Sequence, residues 1–200
     1  MIAEAKFIRA IAHWYMVRLY GQPYGYTSDN SHLGIPLRLK YGRDIVNRSS
    51  VAEVYAQVIS DLKDAAAVLP EDNGGYATRY AALAFLAKVH FQMNDFGNAW
   101  DYANQVISSN HFVFDSALNG RFARALTSES IFHLVSTPQD NTGGTLFYNW
   151  RVDPNTGLAG LSFSNEYVGA VSQNNDKRGQ RWVLQSGDFN FSTKWKIPLA

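Results

Sequence analysis

Residues 78–110 read TRYAALAFLAKVHFQMNDFGNAWDYANQVISSN. Thr78 stands where a helix N-cap is expected, and the apolar residues that follow, Leu83, Leu86 and Ala87 among them, recur at helical spacing as far as Met93. Asn94 and Asp95 break the pattern as a short turn, and Phe96, Ala99, Ala103 and Val106 resume it toward Asn110. Two helices joined so tightly must fold back on each other, and the alanines lie where they have to approach closely.

That spacing is tetratricopeptide-like, and the pattern extends upstream. Ser50 and Glu53 stand three residues apart, as in a capping box, ahead of Val51, Val54, Tyr55, Val58, Ile59, Leu62, Ala66 and Leu69, and Pro70 ends that helix. From Ala3 to Tyr20 one row of apolar residues (Phe7, Ile11, Trp14, Val17) runs beside a second (Ile8, Ala12, Tyr15, Leu19), which predicts a helix covered on most sides. Gly21 and Pro23 stop it. The connection 21–49 holds glycine, proline and several tyrosines without a sustained period. It exceeds the roughly 12–15 residues of ordinary loops, so it is either functional or extended packing.

Beyond His111 the character changes. Phe112–Phe114 and Ile131–Val135 are short apolar runs suited to strands or extended packing, a short helix is expected over Asn165–Gln173, and Arg181–Pro198 reads as irregular or short strands. The expected fold is mostly α: a tetratricopeptide-like helical-repeat scaffold with long irregular loops and a few short strands. It is read as one domain over 1–200, with a helical repeat core over 1–111 and a loop-rich, ligand-facing segment over 112–200.

A 46% hydrophobic chain with 18% charged residues has the makings of a sizeable core. Its 18 basic and 17 acidic side chains nearly cancel, leaving no field to gather nucleic acid. Without cysteine there are neither disulfides nor thiolate metal sites. Glu4, Lys6, Arg9, His13 and Arg18 interrupt the first helix, so it reads neither as a signal peptide nor as a membrane span. Met1 leads directly into the helix and 195–200 stop without cap or tail, which reads as an excerpt of a longer chain.

No motif encodes catalysis. The histidines at 13, 32, 90, 111 and 133 lack the paired spacing of zinc hydrolases, and no cofactor or metal is expected. Residues 160–164, GLSFS, lack the second glycine of a nucleophile elbow, and there is no phosphate loop or dinucleotide fingerprint. Asp140, Asp153 and Glu166 are the carboxylates near the aromatic loop from which a glycoside-hydrolase pair would come, though each reads first as a solvated or turn-forming acid. Asp153, Asn155 and Thr156 only in part match a calcium loop.

Aromatic residues stand out instead: 5 Trp, 11 Tyr and 12 Phe. Phe7, Trp14, Tyr55, Phe85 and Phe91 fall on apolar helix positions and read as core. Rings in polar loops differ, because flat faces flanked by amides and guanidinium groups suit hydroxyl-rich ligands such as sugars. Tyr148, Asn149, Trp150 and Arg151 form such a group, although Phe147 and Trp150 can equally anchor the loop to the helices. Tyr24 and Tyr26, with Tyr41, form a weaker second set.

AEAKFIRAIAHWYMVRLYGQP, SSVAEVYAQVISDLKDAAAVLP and ATRYAALAFLAKVHFQMNDFGNAWDYANQVISS, in that order, closely resemble the SusD/RagB family of outer-membrane nutrient-binding lipoproteins. ESIFHLVS resembles the family's segment after the repeat, and SNEYVGAVSQNNDKRG its helix followed by Asp-x-Arg, here Asp176 and Arg178. At His90 the repeat departs from the family's usual aromatic. The resemblance implies a SusD-like helical scaffold with a loop-rich ligand face, lipid-anchored at the cell surface, with glycan or peptide cargo and a TonB-dependent, SusC-like transporter as partner. The family's signal peptide, lipidated cysteine, first helices and C-terminal part are not in this sequence. Non-enzymatic glycan binding is therefore the expected function, with a protein-interaction module as the rival and a glycoside hydrolase third.

Overall fold

The structure, a computed structural model, describes residues 1–114, 127–134, 161–173 and 175–192. Its elements are α1 (Ile2–Tyr20), β1 (Leu33–Pro36), β2 (Arg48–Ser50), α2 (Val51–Val68), α3 (Arg79–Gln92), α4 (Phe96–Ile107), α5 (Asn165–Ser172), α6 (Lys177–Trp182), β3 (Val183–Ser186) and β4 (Phe189–Ser192). They fall into two compact units, one of Met1–Val113 with Ser130–His133 and one made of the other described residues.

The first unit is the helical scaffold. α2 starts as the capping box predicts: Ser50 Oγ accepts from the Glu53 amide at 3.2 Å and the Glu53 carboxylate accepts from the Ser50 amide at 2.8 Å. Thr78 caps α3 and Asp95 caps α4, each side chain accepting from the amide three residues on. Asn94 turns the chain between α3 and α4 at φ 61°, a left-handed conformation that asparagine tolerates. The capping acid also fixes the turn from inside: His90 Nδ1 lies 2.9 Å from the Asp95 carboxylate, and its ring stacks on Tyr102 at 5.4 Å. His90, unusual by sequence, is thus part of the hairpin's lock.

The core runs along the seams of α1 with α2, α2 with α3 and α3 with α4. Phe7, Val51, Val54, Val58, Leu62, Leu86 and Val89 are essentially solvent-free. Phe7 meets Phe85 and Phe132 edge-on at 5.7 and 5.1 Å. Phe112 and Ile131 also pack on this core, as extended segments outside any strand; Val135 lies outside the described residues. One charge is buried here. Asp61, 1% exposed, accepts from Arg9 Nε and Nη2 at 2.8 and 2.6 Å and from Gln57 at 3.1 Å, so both its oxygens are satisfied by side-chain donors.

One expectation is corrected. α1 is covered on one side only: Phe7, Ala10, His13, Trp14 and Val17 are buried, whereas Ile8, Ala12, Tyr15 and Leu19 are exposed. The reason is that α2, with smaller help from β1 and α3, packs along a single stripe of α1. Within the connection 21–49, read as either functional or extended packing, β1 pairs antiparallel with β2, Leu33 opposite Ser50 and Pro36 opposite Arg48. Arg48 donates to the carbonyls of Gly34 and Leu33 at 2.7 and 3.0 Å. A Cβ at Gly34 would stand 3.1 Å from the Ser49 carbonyl and 3.2 Å from Val54, so glycine permits this close approach.

In the second unit Ser164 caps α5 and Asp176 caps α6, a helix that the apolar periodicity does not predict. Arg178 closes on Asp176 with an ion pair of 2.6 Å, which holds that carboxyl below its ordinary range. β3 and β4 form an antiparallel hairpin, Val183 opposite Ser192, turning at Gly187 with φ 59°.

Candidate functional site

Tyr148, Asn149, Trp150 and Arg151, like Asp140, Asp153, Asn155 and Thr156, lie outside the described residues. Tyr24, Tyr26 and Tyr41 lie within them and do not form one group. Tyr24 is half-buried with its ring tilted on Tyr55 at 4.8 Å, Tyr26 is 64% exposed and meets His32 edge-on at 5.4 Å, and Tyr41 is fully exposed. The loop that carries Tyr24 and Tyr26 is braced locally. Asn30 Oδ1 accepts from the Gly25 amide at 2.6 Å, and Thr27 Oγ1 lies 2.8 Å from His32 Nδ1.

At the base of this loop lies a cavity of about 400 Å³, lined by Tyr15, Val17, Arg18, Leu19, Gly21, Gln22, Pro23, Tyr55 and Gln92. It brings together the end of α1, the start of the connection, the first turns of α2 and the last turn of α3. A Cβ at Gly21 would stand 2.8 Å from the Val17 carbonyl, so glycine lets the chain leave α1 tightly along the cavity wall.

The chemistry of the lining is mixed. The Arg18 guanidinium lies 4.4 Å from the centre of the Trp14 ring and makes no hydrogen bond or ion pair among the described residues. Tyr55 is 2% exposed, and burial pushes its hydroxyl up to about 12, against the opposing influence of Arg18. It remains a donor at neutral pH. Gln92 Oε1 is buried without a hydrogen-bond partner. Tyrosine faces, a guanidinium and an amide oxygen without a partner make a pocket suited to a small, hydroxyl-rich molecule. Tyr24, singled out by sequence, supports Tyr55 from behind; Arg18, Gln22, Tyr55 and Gln92 escape sequence reasoning as site residues, since no local motif marks them.

Glu166 is exposed at the first turn of α5 and held below its ordinary range by its own backbone amide and Ser164, the opposite of the shift a general acid needs. Among the described residues no three His, Cys, Asp or Glu side chains gather as a metal site, and no helix is long and apolar enough to cross a membrane.

A family model described as "Starch-binding associating with outer membrane", of the SusD-like group, matches residues 1–91. SusD-like protein P25 of Formosa agariphila is 33% identical over 112 residues, covering 54% of this chain and 20% of that protein. A SusD-like protein of Bacteroides ovatus is 29% identical over 192 residues, covering 92% of this chain and 33% of that protein. Among solved structures, a SusD superfamily protein of Bacteroides thetaiotaomicron superposes with a TM-score of 0.77 at 27% identity, over 86% of this chain and 40% of that one. The chain is thus similar to SusD-like proteins along most of its length, and it spans a fifth to a third of the length of these two curated relatives.

Proposed function

We propose that the protein is a non-enzymatic carbohydrate-binding component of an outer-membrane nutrient-uptake system. The observation that carries this reading is the tyrosine-lined cavity in which the Arg18 and Tyr55 side chains make no hydrogen bond among the described residues and Gln92 Oε1 is unpartnered, in a chain whose residues 1–91 match a family described as starch-binding. Rings stack on sugar faces while amides and guanidinium groups take the hydroxyls, and several sugar units bound together offset weak single contacts. In this proposal Tyr148, Asn149, Trp150 and Arg151 supply a further ring-bearing patch, Tyr24 and Tyr26 add rings from the adjoining loop, and the whole protein is lipid-anchored at the cell surface beside a TonB-dependent, SusC-like transporter. Calorimetry with a panel of glycans tests it. Trp150→Ala is expected to weaken binding roughly tenfold, with the glycan left uncleaved; absence of binding to every glycan refutes it.

A second role, docking of the transporter on the helices, is favoured by one observation. α4 turns Phe96, Trp100 and Ile107 outward at 57, 66 and 72% exposure, beside an exposed Phe91. Co-purification with the transporter that survives Trp150→Ala and fails in a Phe96→Ser, Trp100→Ser variant supports it; survival in both removes it.

A further inference from the structure

We infer that the cavity at the end of α1 is a site for a sugar ring bearing a carboxylate, with Arg18 holding the carboxylate and Tyr55, Gln22 and Gln92 holding ring hydroxyls. The sugar part rests on the carbohydrate-binding reading; the carboxylate goes beyond it.

Size and charge argue together. About 400 Å³ lies at the small end of ligand pockets, room for one or two sugar rings. Arg18 is the one formally charged residue of the lining, and its guanidinium lies 4.4 Å from the centre of the Trp14 ring with no hydrogen bond or ion pair among the described residues. A guanidinium is matched to two carboxylate oxygens.

The surrounding acids are already engaged. On α2, Glu53 is held by Ser50, Asp61 by Arg9 and Asp64 by Lys6; on α1, Glu4 is held by the N-terminal amine. α3 carries no acid and adds a second exposed cation, Lys88, 5.9 Å from the same Trp14 ring. Arg18 and Lys88 thus place two cations about the Trp14 ring, and the helix's last carbonyls, which carry partial charge only, do not cancel them.

Tyr55 supplies the independent observation. Its side chain is almost wholly buried, lines the cavity, and finds no hydrogen-bond partner among the described residues. Its hydroxyl is a donor facing the cavity, and Gln92 Oε1 in the same lining is buried without a partner; buried polar atoms ordinarily find one, and ligand hydroxyls in the cavity supply it.

The test is calorimetric titration of the full chain with glucuronate and galacturonate, with neutral glucose and galactose, and with acetate, repeated on Arg18→Gln and Tyr55→Phe with circular dichroism to verify folding. Uronates are expected to bind about tenfold tighter than the neutral hexoses, with acetate inert. Arg18→Gln should weaken uronates far more than hexoses, bringing the two classes level, and Tyr55→Phe should weaken both classes alike. Equal binding of uronates and hexoses, untouched by Arg18→Gln, overturns the carboxylate assignment and leaves glycan binding standing. Acetate binding as well as uronates means a bare anion site and overturns the proposal. A folded chain that binds polymeric glycans but none of these sugars also overturns it, whereas failure to bind any glycan sinks the wider reading with it.

Discussion

Three residues join α3 to α4, whereas thirty separate α1 from α2, although both pairs pack as helical hairpins. The polar groups of the short turn serve the hairpin itself. Asn94 takes the left-handed conformation, and Asp95 caps α4 while engaging His90. In the long connection the chain pairs β1 with β2, leaves Tyr26 and Tyr41 exposed, and walls a cavity with Gly21, Gln22 and Pro23. Packing two helices needs only the short form. The additional residues therefore build the side of the scaffold on which the proposed ligand site lies, in keeping with the usual division between a rigid frame and the loops it holds.

The contrast breaks first if the seams are not the source of rigidity. Leu86→Ala removes a solvent-free side chain between the hairpins and is expected to cost about 2–5 kcal/mol in urea unfolding; a loss below about 1 kcal/mol means the seam is loosely packed. The turn is tested by Asn94→Val, which forces a β-branched residue into φ 61° and should cost about 1–2 kcal/mol. The same replacement at exposed Tyr41 should leave the unfolding midpoint unchanged, and equal effects at both positions would erase the distinction.

A weaker effect is expected on acidification. His13 is 6% exposed with its Nδ1 unpartnered, and burial first, then Arg9, holds its pKa below the ordinary 6.5. The unfolded chain thus takes up a proton before the folded one does, so stability is full above pH 6.5 and declines as pH falls below it. Melting temperatures at about pH 7.5 and 5.5 check this, with His13→Gln reducing the drop; an unchanged drop would place the sensor elsewhere. The smallest effect belongs to the loop. About four Gly/Ser residues inserted after Tyr41 should cost no more than about 0.6 kcal/mol, while the same insertion after Asn94 should unfold the α3–α4 hairpin, as loss of α4 helicity by hydrogen exchange would report.

Much of the first unit is legible locally. Ser50 with Glu53, Thr78 and Asp95 announce three helix starts because a cap is made within four residues of itself. The β1–β2 ladder is hidden because Leu33 and Ser50 lie far apart in the chain and neither short run alternates cleanly. The two apolar rows of α1 suggest cover on most sides, yet such rows state what a helix can bury, while its neighbours decide what it does bury. In the site, Tyr24 stands out by composition, and its packing on Tyr55 gives it a supporting position.

By itself the sequence determined the helical periodicity, the caps and the turn residues, and through them a helical-repeat scaffold, since each depends on neighbours a few bonds away. Only the tertiary structure decided that Arg18, Tyr55 and Gln92, from three different helices, share one cavity, and that Asp61 lies buried against Arg9. Such meetings depend on how helices pack across long stretches of chain, and at each position the local signal is that of an ordinary helical residue.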